Sequence, residues 1–196
     1  MRRALPCLLA LALVAGCGGD DEPSAQDVEL ANALREGGVV LVMRHAITEP
    51  ATDRVEEIGD CSTQRNLTEE GREQARQIGR DIDALGVPVN EVLTSPLCRT
   101  KETADLAFGN AQVRMWLLSA GEEATPADER RIRRLENSTT APPGSVTALV
   151  THTGNIGGAF DQSVGEGDVV VVRGDEQLGI VKPEDWQRLA EAAESE

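Results

Sequence analysis

The sequence contains no tyrosine, and only two phenylalanines and two tryptophans occur among its 196 residues. Base-stacking platforms and aromatic cages therefore have almost nothing to be built from. Positive charge is also scarce: 19 Lys and Arg stand against 34 Asp and Glu, a formal charge of −15 at pH 7. That balance excludes a diffuse basic surface for nucleic acid. Only two histidines are present, and no His, Cys or carboxylate cluster has ligand spacing, so neither a metal nor another cofactor is expected. With so few aromatics the core has to be aliphatic, and the length suits one compact domain.

Long apolar runs are missing too. The longest, over residues 4–15, follows Arg2 and Arg3 and falls well short of the ~20 residues a spanning helix needs. A positive start, a short apolar stretch and small residues at its end read as a secretory signal. Val14-Ala15-Gly16-Cys17 is similar to the bacterial lipobox, in which the cysteine becomes the lipidated first residue of the mature protein. Residues 1–16 are thus expected to be a lipoprotein-type signal peptide. Residues 17–27 would be the lipidated Cys17 and a flexible acidic tether, and residues 28–196 the domain. Losing Arg2 and Arg3 makes the mature chain two charges more negative. The expected location is the bacterial cell envelope, outside the cytoplasm, with a lipid anchor in a membrane. Processing leaves Cys61 and Cys98 in an oxidising place, where they form either a disulfide or two buried thiols.

The body alternates strands and helices. Ser24-x-x-Asp27 has the form of a capping box, with Val28, Ala31 and Leu34 on one helical face and Gly37-Gly38 as the stop. Val39 to Met43 is a continuous apolar run, as in a strand buried on both faces. Thr68 caps a second helix that carries Ala75, Ile78, Ile82 and Leu85 at helical spacing and ends at Gly86. A short strand over Glu91–Thr94 leads to Ser95-Pro96, an N-cap and first-turn proline for a helix reaching Phe108. Strands are expected over Val113–Leu118 and Val146–Thr151, with an Arg-rich helix over Ala127–Glu136 between them. A hairpin over Val169–Val181 and a last helix opened by Pro183 complete the chain. The fold class is α/β: a three-layer sandwich, its mostly parallel central sheet flanked by helices on both faces.

Both histidines directly follow apolar strands, in Met43-Arg44-His45 and Val150-Thr151-His152. The carboxyl ends of parallel strands share one edge, where ligand sites gather. Arg99 lies in the first turn of a helix starting at that edge, next to an N-terminus that itself favours an anion. Two arginines, two histidines and a helix start converging on one spot describe a site for a tetrahedral oxyanion.

These residues resemble the histidine phosphatase superfamily, the fold of cofactor-dependent phosphoglycerate mutases. The resemblance is carried by Leu41-Val42-Met43-Arg44-His45-Ala46 with Thr48, and by Leu67-Thr68-Glu69-Glu70-Gly71-Arg72-Glu73-Gln74-Ala75. Ser95-Pro96-Leu97-Cys98-Arg99-Thr100, Glu102-Thr103-Ala104 and Thr151-His152 continue it in order. It implies a phosphoglycerate mutase-like sandwich in which His45 attacks phosphorus to give a phosphohistidine. Arg44, Arg99 and His152 would hold the phosphate oxygens, and Thr48 would either add a hydroxyl to the pocket or cap the loop. One branch of the family places its general acid directly after the second histidine, where Thr153 stands here. The other places a glutamate in the loop after the third strand, which points to Glu122 or Glu123, with Asp53, Glu56 and Glu57 as further candidates.

Two functional readings follow. One is a phosphomonoesterase acting on a small phosphorylated substrate, with an envelope sugar phosphate as the first to test. The other is a phosphate-binding module without turnover. No obligate protein partner and no nucleic-acid partner is expected. The Arg130–Arg134 cluster reads as a solvated helix face, and Asn66 and Asn137 as chance matches to a glycosylation pattern.

Overall fold

The computed structural model describes residues 23–50, 58–119 and 125–194. The expected signal peptide, Cys17, the carboxylates Asp53, Glu56 and Glu57, and both Glu122 and Glu123 lie outside them. Among the described residues, six helices, α1 (Ala25–Glu36), α2 (Glu69–Leu85), α3 (Cys98–Phe108), α4 (Pro126–Glu136), α5 (Thr153–Phe160) and α6 (Trp186–Glu194), pack on a six-stranded sheet. Its strands are β1 (Val39–Arg44), β2 (Val89–Thr94), β3 (Gln112–Val113), β4 (Val146–Thr151), β5 (Val169–Arg173) and β6 (Glu176–Val181). In space they run β3-β2-β4-β1-β5-β6. The first four of that row are mutually parallel, and β5 and β6 close the other side antiparallel.

The strand sequences explain a core on both faces. Val39, Leu41 and Met43 of β1 point into a layer with Leu34, Ile78, Ile82, Trp186 and Leu189, supplied by α1, α2 and α6. Val40 and Val42 point the other way, against Leu135 of α4 and Ile156 and Phe160 of α5. Burying side chains of both parities is what a continuous apolar strand allows. At about 25 cal/mol per Å² of apolar surface removed from water, these two layers dominate folding.

The helix starts behave as their sequences dictate. Ser24 and Asp27 form a reciprocal capping box, so α1 begins at Ala25, inside the segment assigned to the tether. Thr68 Oγ1 accepts from Gly71 N at 2.9 Å. Gly71 is also a packing requirement, since a Cβ there would lie 2.0 Å from the carbonyl oxygen of Ile47. The start of α2 is thereby pressed against the loop that follows His45.

Three expectations need correction. The helix after β2 begins at Cys98 with Leu97 as its cap residue, and Ser95 does not cap it. The Ser95 hydroxyl instead lies 2.8 Å from His152 Nε2. The strand expected over Val113–Leu118 shrinks to Gln112–Val113, followed by a single 3-10 turn over Met115–Leu117. There the carbonyls turn off the sheet edge: Leu117 O accepts from Thr151 Oγ1 at 3.0 Å and from Asn155 Nδ2 at 3.1 Å. The third concerns α5, a helix that the sequence pattern does not reveal; its Gly154, Gly157 and Gly158 dilute the helical signal.

Candidate active site

Register places the histidines side by side. Arg44 of β1 pairs with Thr151 of β4, so His45 and His152 occupy the next positions on adjacent parallel strands. Their ring centroids are 5.6 Å apart, edge to face. Both are 2 % exposed, and Arg99, on the first turn of α3, is 4 % exposed. Backbone bonds fix the His45 position: His45 N donates to Thr151 O at 3.1 Å. Ala46 N donates to Thr103 Oγ1 at 3.0 Å, tying the following residue to α3.

The tautomer of His45 follows from its neighbour. Nδ1 is 2.9 Å from the Ala46 carbonyl, which can only accept, so Nδ1 carries the proton and Nε2 keeps its lone pair. Burial pushes its pKa down to about 3, and the guanidiniums of Arg99, Arg44 and Arg65 push the same way, against the Ala46 bond. Burial first, then Arg99, holds His152 well below the usual histidine range as well. Its Nε2 meets Ser95, while its buried Nδ1 has no hydrogen-bond partner among the described residues.

Two residues that sequence reasoning missed complete the cluster. Arg65 ends the loop that starts after His45; that loop returns to its origin, where Thr68 N donates to Ile47 O at 3.0 Å. A loop with both ends on one edge delivers its last side chains beside its first, and that is the signal which marks Arg65. Glu166 precedes β5, whose antiparallel pairing with β1 sets Val169 opposite Met43 and so brings the strand's beginning to the catalytic edge. Its Oε1 accepts from Thr48 Oγ1 at 2.6 Å and lies 3.6 Å from Arg44 Nη2 and 3.9 Å from Arg65 Nη2. Thr48 is accordingly part of the site, with its hydroxyl proton directed at Glu166.

Of the sequence-derived candidates, Arg44, His45, Thr48, Arg99 and His152 are brought together, and Glu122 lies outside the described residues. Cys61 and Cys98 form a disulfide with Cα atoms 5.7 Å apart. The bridge joins the 58–66 loop to the residue before Arg99. Among the described residues, no group of three or more His, Cys, Asp or Glu side chains is arranged to hold a metal ion.

A neutral imidazole with an available lone pair, ringed by guanidiniums at a sheet edge, is a centre for nucleophilic attack on a bound oxyanion. A family model, the histidine phosphatase superfamily (branch 1), matches residues 40–119. Over those residues, 80 of the 196, the chain is similar to that superfamily. It is 40% identical over 50 residues to the mitochondrial serine/threonine-protein phosphatase Pgam5 of Drosophila persimilis, a match covering 26% of this chain and 17% of that protein. The counterpart in Drosophila ananassae is 31% identical over 80 residues, 41% of this chain and 25% of that protein. The chain thus spans a minor part of these relatives. Among solved structures, the protein histidine phosphatase SixA complexed with tungstate superposes with a TM-score of 0.52 at 17% identity, covering 75% of this chain and 98% of that one. A phosphoglycerate mutase from Thermus thermophilus gives 0.54 at 19% identity, covering 73% and 98%. These likenesses establish a phosphoglycerate mutase-like fold.

The lowered histidine pKa values carry an observable consequence. Only two histidines exist in the chain, so the Cε1–H region of a ¹H–¹³C spectrum contains two imidazole signals. Neither is expected to move between pH 5 and 8, although a free imidazole titrates near ~6.5. Both groups are neutral when folded and bind protons more readily when unfolded, so stability is present above pH ~6.5 and is lost as pH falls toward the folded value of about 3 for His45. A His45 signal titrating near 6.5 would remove the claim that it is held neutral.

Proposed function

We propose that this protein is a lipid-anchored, extracytoplasmic phosphomonoesterase that hydrolyses phosphate esters through a phosphohistidine on His45. The observation that carries the reading is the imidazole itself: Nδ1 is fixed by the Ala46 carbonyl and burial keeps the ring neutral, leaving Nε2 as nucleophile. Arg44, Arg65 and Arg99 surround the position a phosphate would take. If Ser95 donates to His152 Nε2, the second histidine presents Nδ1–H to a phosphate oxygen. Nε2 attacks phosphorus, the P–O bond to the leaving group breaks, and the guanidiniums stabilise the charge on the equatorial oxygens. Water then cleaves the P–N bond, giving inorganic phosphate and free His45.

An alkoxide leaving group needs a proton, and the Glu122 assignment for that role stands as part of this proposal. The test therefore uses two esters. 4-Nitrophenyl phosphate has a good leaving group that barely needs an acid, whereas a sugar phosphate needs one. Turnover of both supports the full reading. Aryl-only turnover would say that the acid is missing, and phosphate binding without turnover would leave a binding module.

The signal and lipobox-like sequence ahead of the domain supports that location. Phosphoglycerate and cytoplasmic phosphohistidine proteins are out of reach there, which favours phosphorylated envelope sugars as the substrate class. Expressed in a bacterium, the chain is expected to incorporate labelled fatty acid, and Cys17→Ser to abolish that label. Label retained in Cys17→Ser would overturn the anchor.

A further inference from the structure

Glu166 takes no part in the attack by His45. Its nearest ring nitrogen is Nδ1, at 3.9 Å, while the leaving group departs in line with Nε2. Yet few residues are held so firmly. Arg44 N donates to Asp168 O at 3.0 Å and Gly167 N to His45 O at 3.1 Å, bonding the 166–168 backbone to the catalytic pair on both sides. Arg44 Nη1 donates to Val164 O at 2.8 Å. Gln74 donates from Nε2 to Glu166 O at 3.1 Å and accepts from Ile47 N at 3.1 Å. Gly167 sits at φ +89° with Gln74 where a Cβ would go, so the turn that aims Glu166 is itself constrained.

Exposure divides the site in two. His45, Arg99 and His152 form a buried floor. The side chains of Arg44, Arg65 and Glu166 are 20, 29 and 22 % exposed and form the rim. A phosphate on the floor leaves its ester body at that rim. Among the described residues, the three guanidiniums and Glu166, with both imidazoles neutral, sum to two positive charges, and the Asp168 carboxylate, which also acts on Arg44, lowers that sum. That is no more than a phosphomonoester dianion neutralises, and it leaves nothing over for a second anion.

We propose that Glu166 is a specificity-determining residue, selecting phosphomonoesters with an uncharged body and rejecting those that carry a second anion next to the phosphate. The inference rests on the phosphatase reading and names the substrate class of that same site. A carboxylate or second phosphate on the ester body would meet the Glu166 carboxylate in a partly desolvated rim, where like charges repel more strongly than in water. Once that charge is removed, the repulsion is relieved and the positive field of Arg44 and Arg65 acts on the second anion.

Glycerol 3-phosphate and 3-phosphoglycerate differ at the body by one carboxylate and make the test. The full chain is expected to prefer glycerol 3-phosphate in kcat/KM by about tenfold or more. Glu166→Gln should move the ratio toward 3-phosphoglycerate by about tenfold, and Glu166→Asp, which keeps the charge, should restore the preference. A ratio within twofold of the starting one in Glu166→Gln overturns the proposal, as does a Gln-like ratio in Glu166→Asp. A role confined to holding Arg44 and Thr48 would lower both esters together and leave the ratio unmoved. Turnover of neither ester would sink the phosphatase reading alone. The same ratio is then read as relative binding affinity by calorimetry, with the same shift expected in Glu166→Gln.

Discussion

His45→Ala is expected to lower kcat/KM for 4-nitrophenyl phosphate and for a sugar phosphate by on the order of 10⁴-fold or more. An activated leaving group relieves the need for an acid but not the need for a nucleophile, so both esters should fall together. Binding should survive. Arg44, Arg65, Arg99 and His152 remain, and the lost imidazole is neutral, so no buried charge loses its partner. Vanadate or tungstate affinity within about tenfold of the parent, with unchanged circular dichroism, is the expected companion result. The covalent intermediate provides a second readout: ³²P from a labelled ester should be trapped on the parent as an acid-labile adduct and be absent from His45→Ala. Turnover persisting near the parent rate would mean that water attacks phosphorus directly, and the phosphohistidine step would fall.

Much of this site was legible because its parts are local. Arg44 and His45 follow five apolar residues with no break between them. Thr68 and Gly71 sit at the fixed positions of a helix start. A strand that long and apolar is buried on both faces, and its polar end has one edge of the sheet to occupy. An even count of thiols and the expected compartment suggested a disulfide but left two buried thiols open, and the structure pairs Cys61 with Cys98. Residues fixed by non-local placement stayed hidden. Ser95 looked like a helix cap, and nothing near it in sequence shows that His152, fifty-seven residues on, takes its hydroxyl. The strand predicted through Leu118 failed because Thr151 and Asn155 of another segment claim the Leu117 carbonyl. Glu166 became a site residue because β5 pairs antiparallel with β1, a choice of neighbour that the periodicity of Val169–Val172 does not encode.

The second large effect expected is on stability. The Cys61–Cys98 bridge closes a loop across a sequence separation of 37 residues. Loop entropy at that length gives about 4 kcal/mol of stabilisation, lost on reduction. For a chain of this size that lowers Tm by about 10 °C. The fold should persist, because the two hydrophobic layers on the sheet include neither cysteine. Activity should respond separately. Cys98 precedes Arg99, and its backbone N–H donates to Gln64 Oε1 at 2.8 Å, next to Arg65. Asn66 Nδ2 donates to Cys61 O at 2.8 Å, so the bridge, Gln64 and Asn66 brace one loop against the start of α3. Reduction leaves the hydrogen bonds but loosens the brace, which should raise KM for phosphate esters several-fold while kcat, set by His45, changes less. Cys61→Ser with Cys98→Ser should match the reduced parent in both respects and ignore dithiothreitol. If Tm and KM both stay put on verified reduction, the bridge braces nothing. If Tm falls while KM holds, it stabilises the fold without positioning Arg65 and Arg99. A bridge at the residue before Arg99 would thus tie the strength of the proposed anion site to an oxidising surrounding, the condition expected for the proposed location.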